Sequence, residues 1–461
     1  MFDSFPRSHR TLPTLLATAG LTCALSLSGT SAVLAVPTPS APPSYLPSIP
    51  AIDTPPGDSI RAREYWLTDY GFDDAWKEST GEGVTVAVID TGVDATHQDL
   101  KNNVVKGWDA SDKGDDNGGE GLGVEPEHGT LVASMIAGHG HDDGITVGDS
   151  SWPGKPAGML GVAPDAKIMP ISLEIGTVGE NHKSIDEQIP QAVKYAVDHH
   201  ANIINLSVGS NNTSWPQSWD EAFAYAEEKG VLIVASSGNR GSGVTQVGAP
   251  ATIPGVLTVG GVDARRKDSW SSSSQGISIA VAAPSENLMG AIPGDNYAVW
   301  SGTSGAAPLV TGLAALIKAK YPNLTSHQII QRIIESADDG GEPGRDPIYG
   351  FGIINPSKAL GEDVSDNASQ NPLGSVKEWI AVHRKTENQE VADASATPTP
   401  VHQKGEQVHD VAAPTPSRPA EDSGILPFIV LGGFAFWVVI ITAGTVQWLK
   451  GGKNREPRSI K

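Results

Sequence analysis

Cysteine is almost absent from the sequence. The single thiol, Cys23, lies in an uncharged N-terminal stretch, and the residues before it, Gly20 to Thr22, lack the leading leucine of a lipoprotein signal. If this stretch is removed as a leader, the mature chain has no thiol and no disulfide. Metal binding by thiolates and catalysis by cysteine are therefore excluded.

Basic residues are also scarce. The chain has 32 lysines and arginines against 53 aspartates and glutamates, which gives a formal net charge of −21. Domains that bind nucleic acids carry clustered basic side chains to neutralise phosphates, and the sequence shows no such domain. The imbalance favours solubility and predicts no nucleic-acid partner.

Charged residues are missing from a long run near each end of the chain. The first run, from Thr11 to Val36, follows Arg7 and Arg10 and ends among small residues. This arrangement is typical of a secretory signal peptide, here over residues 1–35. An uncleaved membrane anchor remains the alternative, because the run is long for a signal core. Either interpretation places the bulk of the chain outside the cytoplasm.

The second uncharged run, from Ile425 to Leu449, covers 25 positions, and five basic residues follow it within 450–461. Its length is enough to cross a bilayer as a helix, and basic flanks favour the cytoplasmic side. The sequence therefore predicts a transmembrane helix at 424–449 and a basic cytoplasmic tail at 450–461. We expect a single-pass cell-membrane protein whose large domain is extracytoplasmic.

Proline-rich composition sets the limits of this domain. Residues 36–62 form a proline-rich N-terminal extension, and residues 361–423, rich in Pro, Thr and Ala, are predicted to form a disordered stalk. Between them, residues 63–360 alternate short apolar runs with helical patterns, which is typical of an α/β domain with a mostly parallel sheet covered by helices on both faces. The runs are Val84 to Asp90, Ala166 to Leu173, Ala201 to Gly209, Val231 to Asn239, Val256 to Val262 and Ile277 to Pro284.

Capping boxes predict where helices of this domain begin. A Ser or Thr followed three residues later by Glu or Gln satisfies two backbone N–H groups at a helix start. Within residues 63–360, three such pairs precede segments with a helical apolar pattern, and they are Ser184 with Glu187, Ser218 with Glu221, and Thr325 with Gln328.

Three polar residues lie where predicted strands end or helices begin. Asp90 ends the first apolar run, His128 begins the segment HGTLVASMIAG, and Ser304 lies in SGTSGAAP at the start of another helix. Ligands of open parallel sheets bind beyond the carboxyl ends of the strands. Taken singly, Asp90 can be a turn residue, His128 a structural histidine and Ser304 a helix cap.

Together these residues supply the parts that serine hydrolysis of an amide needs. A serine hydroxyl needs an imidazole to take its proton, and a carboxylate to orient that imidazole. Asn239, just past another apolar run, can donate its side-chain amide to the developing oxyanion together with the N–H of Ser304. Alone, this asparagine is equally explained as a turn residue.

The ordered motifs VAVIDTGVDATHQDL, HGTLVASMIAG, GVAPDAKIMPIS, INLSVG, SSGN and SGTSGAAPLVTGLAALI resemble those of the subtilisin-like serine proteases, from about Tyr65 to Leu360. The resemblance implies a three-layer α/β sandwich and an endopeptidase that acts on polypeptide substrates without a cofactor. It implies Asp90, His128 and Ser304 as the triad and Asn239 as the oxyanion donor. It further implies a strand segment that pairs with the substrate, formed by Ser207, Val208 and Gly209. The pocket for the substrate residue before the cut is implied to be lined by Ala235, Ser236, Ser237 and Gly238.

The calcium site of bacterial subtilisins is not expected here. The resemblance places Asp99 at the position of a calcium-binding aspartate, but Lys155 falls near the position of the companion asparagine, and its positive charge opposes a cation. No metal site is predicted. The segment ahead of the domain is also much shorter than a subtilisin pro-domain.

Leu131, the stalk and the predicted C-terminal anchor make the chain similar to the mycosins, membrane-anchored subtilases associated with type VII secretion. This similarity implies processing of exported proteins, with the type VII secretion complex as a possible partner. Two alternatives remain, namely a role mainly as structural stabiliser of such a complex and a general cell-surface subtilase. The chain lacks the cysteine pairs of mycobacterial members.

An acidic loop precedes the predicted catalytic histidine. It runs from Asp109 to His128 and is either a solvated surface loop or an acidic lip that attracts basic substrate segments and raises the pKa of His128. Arg240, next to Asn239, either faces the pocket for the residue before the cut or points to solvent.

Overall fold

The computed structural model describes residues 58–149, 151–177, 179, 182–365 and 367–384. Its strands are β1 Thr85–Asp90, β2 Trp108–Asp109, β3 His139–His141, β4 Ala157–Leu160, β5 Lys167–Ser172, β6 Ile203–Leu206, β7 Leu232–Ser236, β8 Leu257–Val262, β9 Ile279–Pro284, β10 Leu288–Ile292 and β11 Asn296–Trp300. Its helices are α1 Trp66–Asp69, α2 Phe72–Ala75, α3 His128–Ala137, α4 Ile185–Asp198, α5 Asp220–Lys229, α6 Thr303–Lys320, α7 Ser326–Ser336, α8 Pro356–Ala359 and α9 Val376–His383.

The main sheet is parallel throughout, in the order β2-β5-β1-β6-β7-β8-β9. All six apolar runs of the sequence become strands of this sheet, so the predicted parallel α/β architecture is confirmed. The edge strand β2 was not predicted, because two residues are too short to show a periodicity. Two antiparallel hairpins, β3–β4 and β10–β11, lie apart from the main sheet.

Helices cover both faces of the sheet. Along β1, Val86 and Val88 belong to one buried cluster, which includes residues of α3, α6 and α7, whereas Ala87 and Ile89 belong to a second cluster with α4 and α5. Alternate side chains of a strand point to opposite faces, and both faces of a covered parallel strand must be apolar. The three-layer sandwich follows from this continuous apolar pattern.

Two of the three predicted capping boxes are present. Ser184 caps α4 with Glu187, and Thr325 caps α7 with Gln328. The third was wrong, because α5 begins at Asp220 and Ser218 lies in a short 3-10 turn before it. The Asp220 carboxylate there accepts a hydrogen bond from the Trp215 indole at 2.7 Å, a tertiary contact that a local pattern does not reveal.

The domain extends beyond its predicted C-terminal boundary. The predicted stalk at 361–423 is wrong for its described part up to residue 384, because α9 packs there against α5 with Val376 only 2 % exposed. The apolar spacing of this helix, which includes Trp379 and Ile380, was obscured by the polar composition around it. At the other end, Arg61 of the proline-rich extension donates to the Gly158 carbonyl at 3.1 Å.

Other predicted segments lie outside the described residues. They are the signal peptide at 1–35, residues 36–57 of the extension, residues 385–423 of the stalk, the transmembrane helix at 424–449 and the tail at 450–461. Among the helices that the structure does describe, none combines the length and apolar character needed to cross a bilayer.

Candidate active site

Asp90 and His128 form the buried end of the site. Asp90 is the last residue of β1, an inner strand of the main sheet, and His128 is the first residue of α3. The imidazole Nδ1 lies 2.8 Å from Asp90 Oδ1, which also accepts the Thr91 N–H at 2.7 Å. Because a carboxylate only accepts, Nδ1 carries the proton, and the neutral ring keeps Nε2 as an acceptor.

The surroundings of His128 determine its pKa. Burial lowers the pKa, but the charge of Asp90 and the hydrogen bond to it raise the pKa, and the charges of Glu125 and Glu127 add to the rise, so that it lies above the ordinary value. The Trp300 ring packs edge-on against the imidazole, with ring centroids 5.6 Å apart. The imidazolium formed by proton uptake is thus stabilised on its Nδ1 side.

Ser304 lies in the first turn of α6 and lines the same cleft as His128. This cleft has a volume of about 510 Å³. The Ser304 hydroxyl donates to the Ser207 carbonyl at 3.1 Å, and the Ser207 hydroxyl donates to the Ser304 carbonyl at 2.9 Å. Proton transfer to His128 therefore requires the Ser304 hydroxyl to exchange its present acceptor.

Asn239 is held beside Ser304 in one defined orientation. Its Oδ1 accepts the backbone N–H of Thr303 at 2.9 Å and the Thr303 hydroxyl at 3.1 Å. The amide nitrogen then faces Gly302, where a Cβ would lie 3.2 Å from it, and Gly302 has a φ of +150° that disfavours side chains. This orientation leaves the amide nitrogen of Asn239 on the side of Gly302.

The part of the chain that contains Asp90, His128, Asn239 and Ser304 is also the part that matches a known protein family. The subtilase family model matches residues 81–352, more than half of the chain. The chain belongs to the subtilase family of subtilisin-like serine proteases. The resemblance found in the sequence motifs is thereby confirmed.

Individual relatives support this assignment. Fervidolysin from Fervidobacterium pennivorans is 34 % identical over 67 % of this chain and 44 % of its own length, so this chain spans less than half of that relative. Subtilisin DY from Bacillus licheniformis is 34 % identical over 60 % of this chain and 90 % of its own length.

Solved structures of a mycosin, MycP1, are also similar. MycP1 from Mycobacterium smegmatis is 28 % identical, with a TM-score of 0.55 over 72 % of this chain and 90 % of MycP1. A structure of MycP1 from the ESX-1 type VII secretion system matches with the same identity and TM-score and covers 92 % of that chain.

Of the residues predicted to bind substrate in this subtilase, one group lines the cleft and the other does not. Ser207, Val208 and Gly209 are among its lining residues. Ala235, Ser236 and Ser237 are buried in or just after β7, and Gly238 exchanges hydrogen bonds with the Thr303 hydroxyl. Ala235 to Gly238 are therefore not among the residues that line this cleft, although Gly238 contacts Thr303, the residue before Ser304.

The sequence analysis missed an apolar part of the cleft. Ile185, Ile189, Trp215 and Trp219 line it together with Pro250. A signal for Trp215 was present, since a tryptophan in the polar loop SNNTSWPQSW directly after INLSVG has no periodic pattern to account for it.

The acidic loop contributes to the site through its last residues. Glu125 lines the cleft and, with Glu127, raises the pKa of His128. Asp112, earlier in the loop, pairs instead with Lys183 at 2.6 Å. Arg240 pairs with Asp268, and its side chain is only 9 % exposed, so the structure does not turn it toward the cleft.

The carboxylate of Asp99, the residue that the resemblance places at the calcium-binding position, is hydrogen-bonded to other residues of the domain. Asp99 Oδ1 accepts from His141 at 2.7 Å, and Oδ2 accepts the Met159 N–H and the Tyr297 hydroxyl, both at 2.7 Å. Arg61 donates to the carbonyl of Lys155 nearby, at 3.1 Å. A carboxylate whose oxygens are engaged in this way, with a guanidinium close by, does not fit the oxygen-rich shell that calcium needs.

Proposed function

We propose that this subtilase is a serine endopeptidase in which Ser304 is the nucleophile, His128 the general base and acid, and Asp90 the residue that orients His128. The observation that carries the proposal is the hydrogen bond from His128 to the buried Asp90, beside a cleft that both His128 and Ser304 line. Asp99 and His141 form a second buried pair of the same kind, so the proposal rests on the cleft that His128 shares with Ser304 and not on the pair alone.

The first half of the reaction forms an acyl-enzyme. Ser304 Oγ attacks the carbonyl carbon of the peptide while its proton passes to His128 Nε2. The negative charge that develops on the carbonyl oxygen accepts from the Asn239 amide and from the backbone N–H of Ser304, which has no acceptor within the first turn of α6. His128 then gives its proton to the leaving amine as the C–N bond breaks.

The second half releases the acid. His128 takes a proton from a water molecule, the resulting hydroxide attacks the acyl carbon, and the proton returns to Ser304 Oγ as the ester bond breaks. The pKa of His128, raised by Asp90 among others, favours proton uptake in both halves.

An extended polypeptide is the substrate that suits the cleft. Ser207 to Gly209 follow strand β6 directly and line the cleft, so their backbone is available to pair with an extended segment. The apolar part of the cleft, which Trp215 and Trp219 line, suits a large apolar side chain of the substrate.

The site of action is the outer face of a cell membrane. We base this on the uncharged runs at 11–36 and 425–449 and on the basic tail after the second run. The similarity to MycP1, which belongs to the ESX-1 type VII secretion system, supports a role in processing exported proteins beside such a complex. Mainly structural support of the complex and a general cell-surface protease are the alternatives.

Labelling with a fluorophosphonate tests the nucleophile. The probe should label the full chain, and Ser304→Ala should abolish labelling while circular dichroism stays unchanged. Ser301→Ala is the matched control within the same SGTSG segment, because its exposed hydroxyl only accepts the Asn287 N–H, and it should still be labelled. Labelling of the Ser304→Ala variant would show that another residue is the nucleophile.

Cysteine labelling tests the topology. With Cys23 replaced by serine, we introduce Glu82→Cys on the domain surface and Ser459→Cys in the tail, in separate variants. A maleimide that cannot cross membranes should label the first in intact cells and the second only after lysis. Labelling of both in intact cells would contradict the single-pass arrangement.

Secretion assays separate the catalytic role from the structural one. If processing is the function, Ser304→Ala should reproduce the defect of a full deletion in the maturation of exported proteins. Normal export with Ser304→Ala, lost only on deletion, would favour the structural alternative.

A further inference from the structure

One wall of the cleft is formed by the Trp215 side chain. Trp215 is 8 % exposed and lines the cleft with Ile185, Ile189 and Trp219. Its indole N–H donates to Asp220 Oδ1 at 2.7 Å. The orientation of this ring is therefore one of the features that shape the apolar part of the cleft.

The back of Trp215 is covered by residues from the end of the domain. Trp379 of α9 packs on it with ring centroids 4.3 Å apart. Arg384 follows α9, and two of its guanidinium nitrogens donate to the Asp220 carboxylate, at 2.7 and 3.2 Å. The guanidinium also donates to the Trp215 carbonyl at 3.2 Å. One guanidinium thus fixes both the backbone of Trp215 and the acceptor of its indole N–H.

Helix α9 is bound to α5 by polar contacts at its start and just after its end. At its start, the Glu227 carboxylate accepts from the Ser375 hydroxyl at 2.5 Å and from the Val376 N–H at 3.0 Å. At its end, Arg384 binds Asp220. Asp220 and Glu227 are seven residues, or about two helical turns, apart on one face of α5, so α9 lies along α5 in the opposite direction.

We propose that Trp379 and Arg384 are positioning residues, which hold Trp215 in place and thereby set the preference of the cleft for a large apolar side chain of the substrate. The inference rests on the proposed peptidase function. Without Trp379 the Trp215 ring loses its packing partner, and without Arg384 the Asp220 carboxylate is free to turn away. The reacting groups lie on other elements, β1, α3 and α6.

The experiment compares two peptides cleaved by the full chain. A scan of the wild-type protein identifies the substrate position that prefers large apolar residues, and the pair then differs only there, by Leu or Ala. Trp379→Ala and Arg384→Ala should lower kcat/KM for the Leu peptide on the order of tenfold, mostly through KM, with little change for the Ala peptide. The kcat/KM of Arg384→Lys for the Leu peptide should lie between those of the wild type and of Arg384→Ala, because lysine cannot make the bidentate contact with Asp220.

Lys377→Ala is the matched control. It lies on the same helix and removes an exposed ion pair with Glu228 at 3.1 Å, without touching Trp215. Its preference for Leu over Ala should equal that of the wild type. An equal loss for both peptides in the Trp379 and Arg384 variants would overturn the proposal, because it would indicate general destabilisation. Unchanged preference in both variants would overturn it as well.

Binding separates this inference from the proposed function. The same two peptides are titrated onto Ser304→Ala protein, with and without Trp379→Ala or Arg384→Ala, and the ratio of their Kd values is measured. A wild-type chain that binds the peptides but is neither labelled nor able to cleave would refute the proposed function alone. A Kd ratio that does not change in the variants would refute the positioning role alone.

Discussion

The contacts of Asp99 predict which change should destabilise the domain without affecting catalytic residues. His141→Ala removes one of three hydrogen bonds to a fully buried carboxylate and leaves those from Met159 and Tyr297. A hydrogen bond to a charged group contributes about 2 kcal/mol, and the two remaining donors limit the loss to roughly that value. For a domain of this size the melting temperature should fall by about 4 °C.

The assay is reversible unfolding in urea, followed by tryptophan fluorescence, with every variant built on Ser304→Ala to prevent self-digestion. His182→Ala is the matched control, since it removes a similar histidine–carboxylate pair, between His182 and Glu174 at 2.6 Å. Because the His182 side chain is 32 % exposed, the free energy of unfolding should fall by less than about 1 kcal/mol. Adding Asp99→Asn to His141→Ala should recover part of the loss, because the uncompensated charge is removed. Equal stability of the His141→Ala and parent proteins would refute this reasoning, as would a marked stabilisation of the parent by calcium.

Three further predictions concern the reaction and the domain boundary. Because general-base catalysis needs neutral His128, and Asp90, Glu125 and Glu127 raise its pKa, kcat/KM should fall on acidification with a midpoint above that of an ordinary histidine, and Glu125→Gln with Glu127→Gln should move that midpoint to lower pH; an unmoved midpoint in a pH–rate profile would contradict the assignment of His128. Asn239→Ala should lower kcat about 10²- to 10³-fold with little change in KM, as measured on a soluble peptide, and a loss confined to KM would argue against the oxyanion role. Limited proteolysis of the Ser304→Ala protein should leave residues 361–384 attached to the domain, and early cleavage there, detected by mass spectrometry, would instead favour a stalk that begins at 361.

Much of the fold could be predicted from the sequence because its strands correspond to local patterns of apolar residues. Each strand of the main sheet longer than two residues is a nearly continuous apolar run, since both faces of the sheet are covered. Asp90, His128 and Ser304 could be found because they stand at the junctions of such runs and within ordered motifs. Their meeting in space follows from the parallel order of the sheet.

Other features depend on contacts between distant parts of the chain. His141 and Asp99 are 42 residues apart, and the hydrogen bond between them depends on how the β3–β4 hairpin folds back. Helix α9 has a local start signal, because Ser375 accepts the Glu378 N–H, but its polar, proline-rich context hid that signal, and its contacts with Glu227 and Trp215 could not be predicted from local pattern. Tertiary contacts of this kind leave little trace in composition.

The spacing of the site along the chain has a consequence for timing. A ribosome makes the chain from its N-terminus, so β1 and α3 are complete before Ser304 exists, with 176 residues, 304 − 128, still to be added after His128. In the folded domain the SGTSG segment is also bound to Asn239, whose Oδ1 accepts the Thr303 N–H. A nascent chain that ends before Ser304 therefore lacks the proposed nucleophile, and it cannot cut itself or its neighbours until nearly the whole domain has been made.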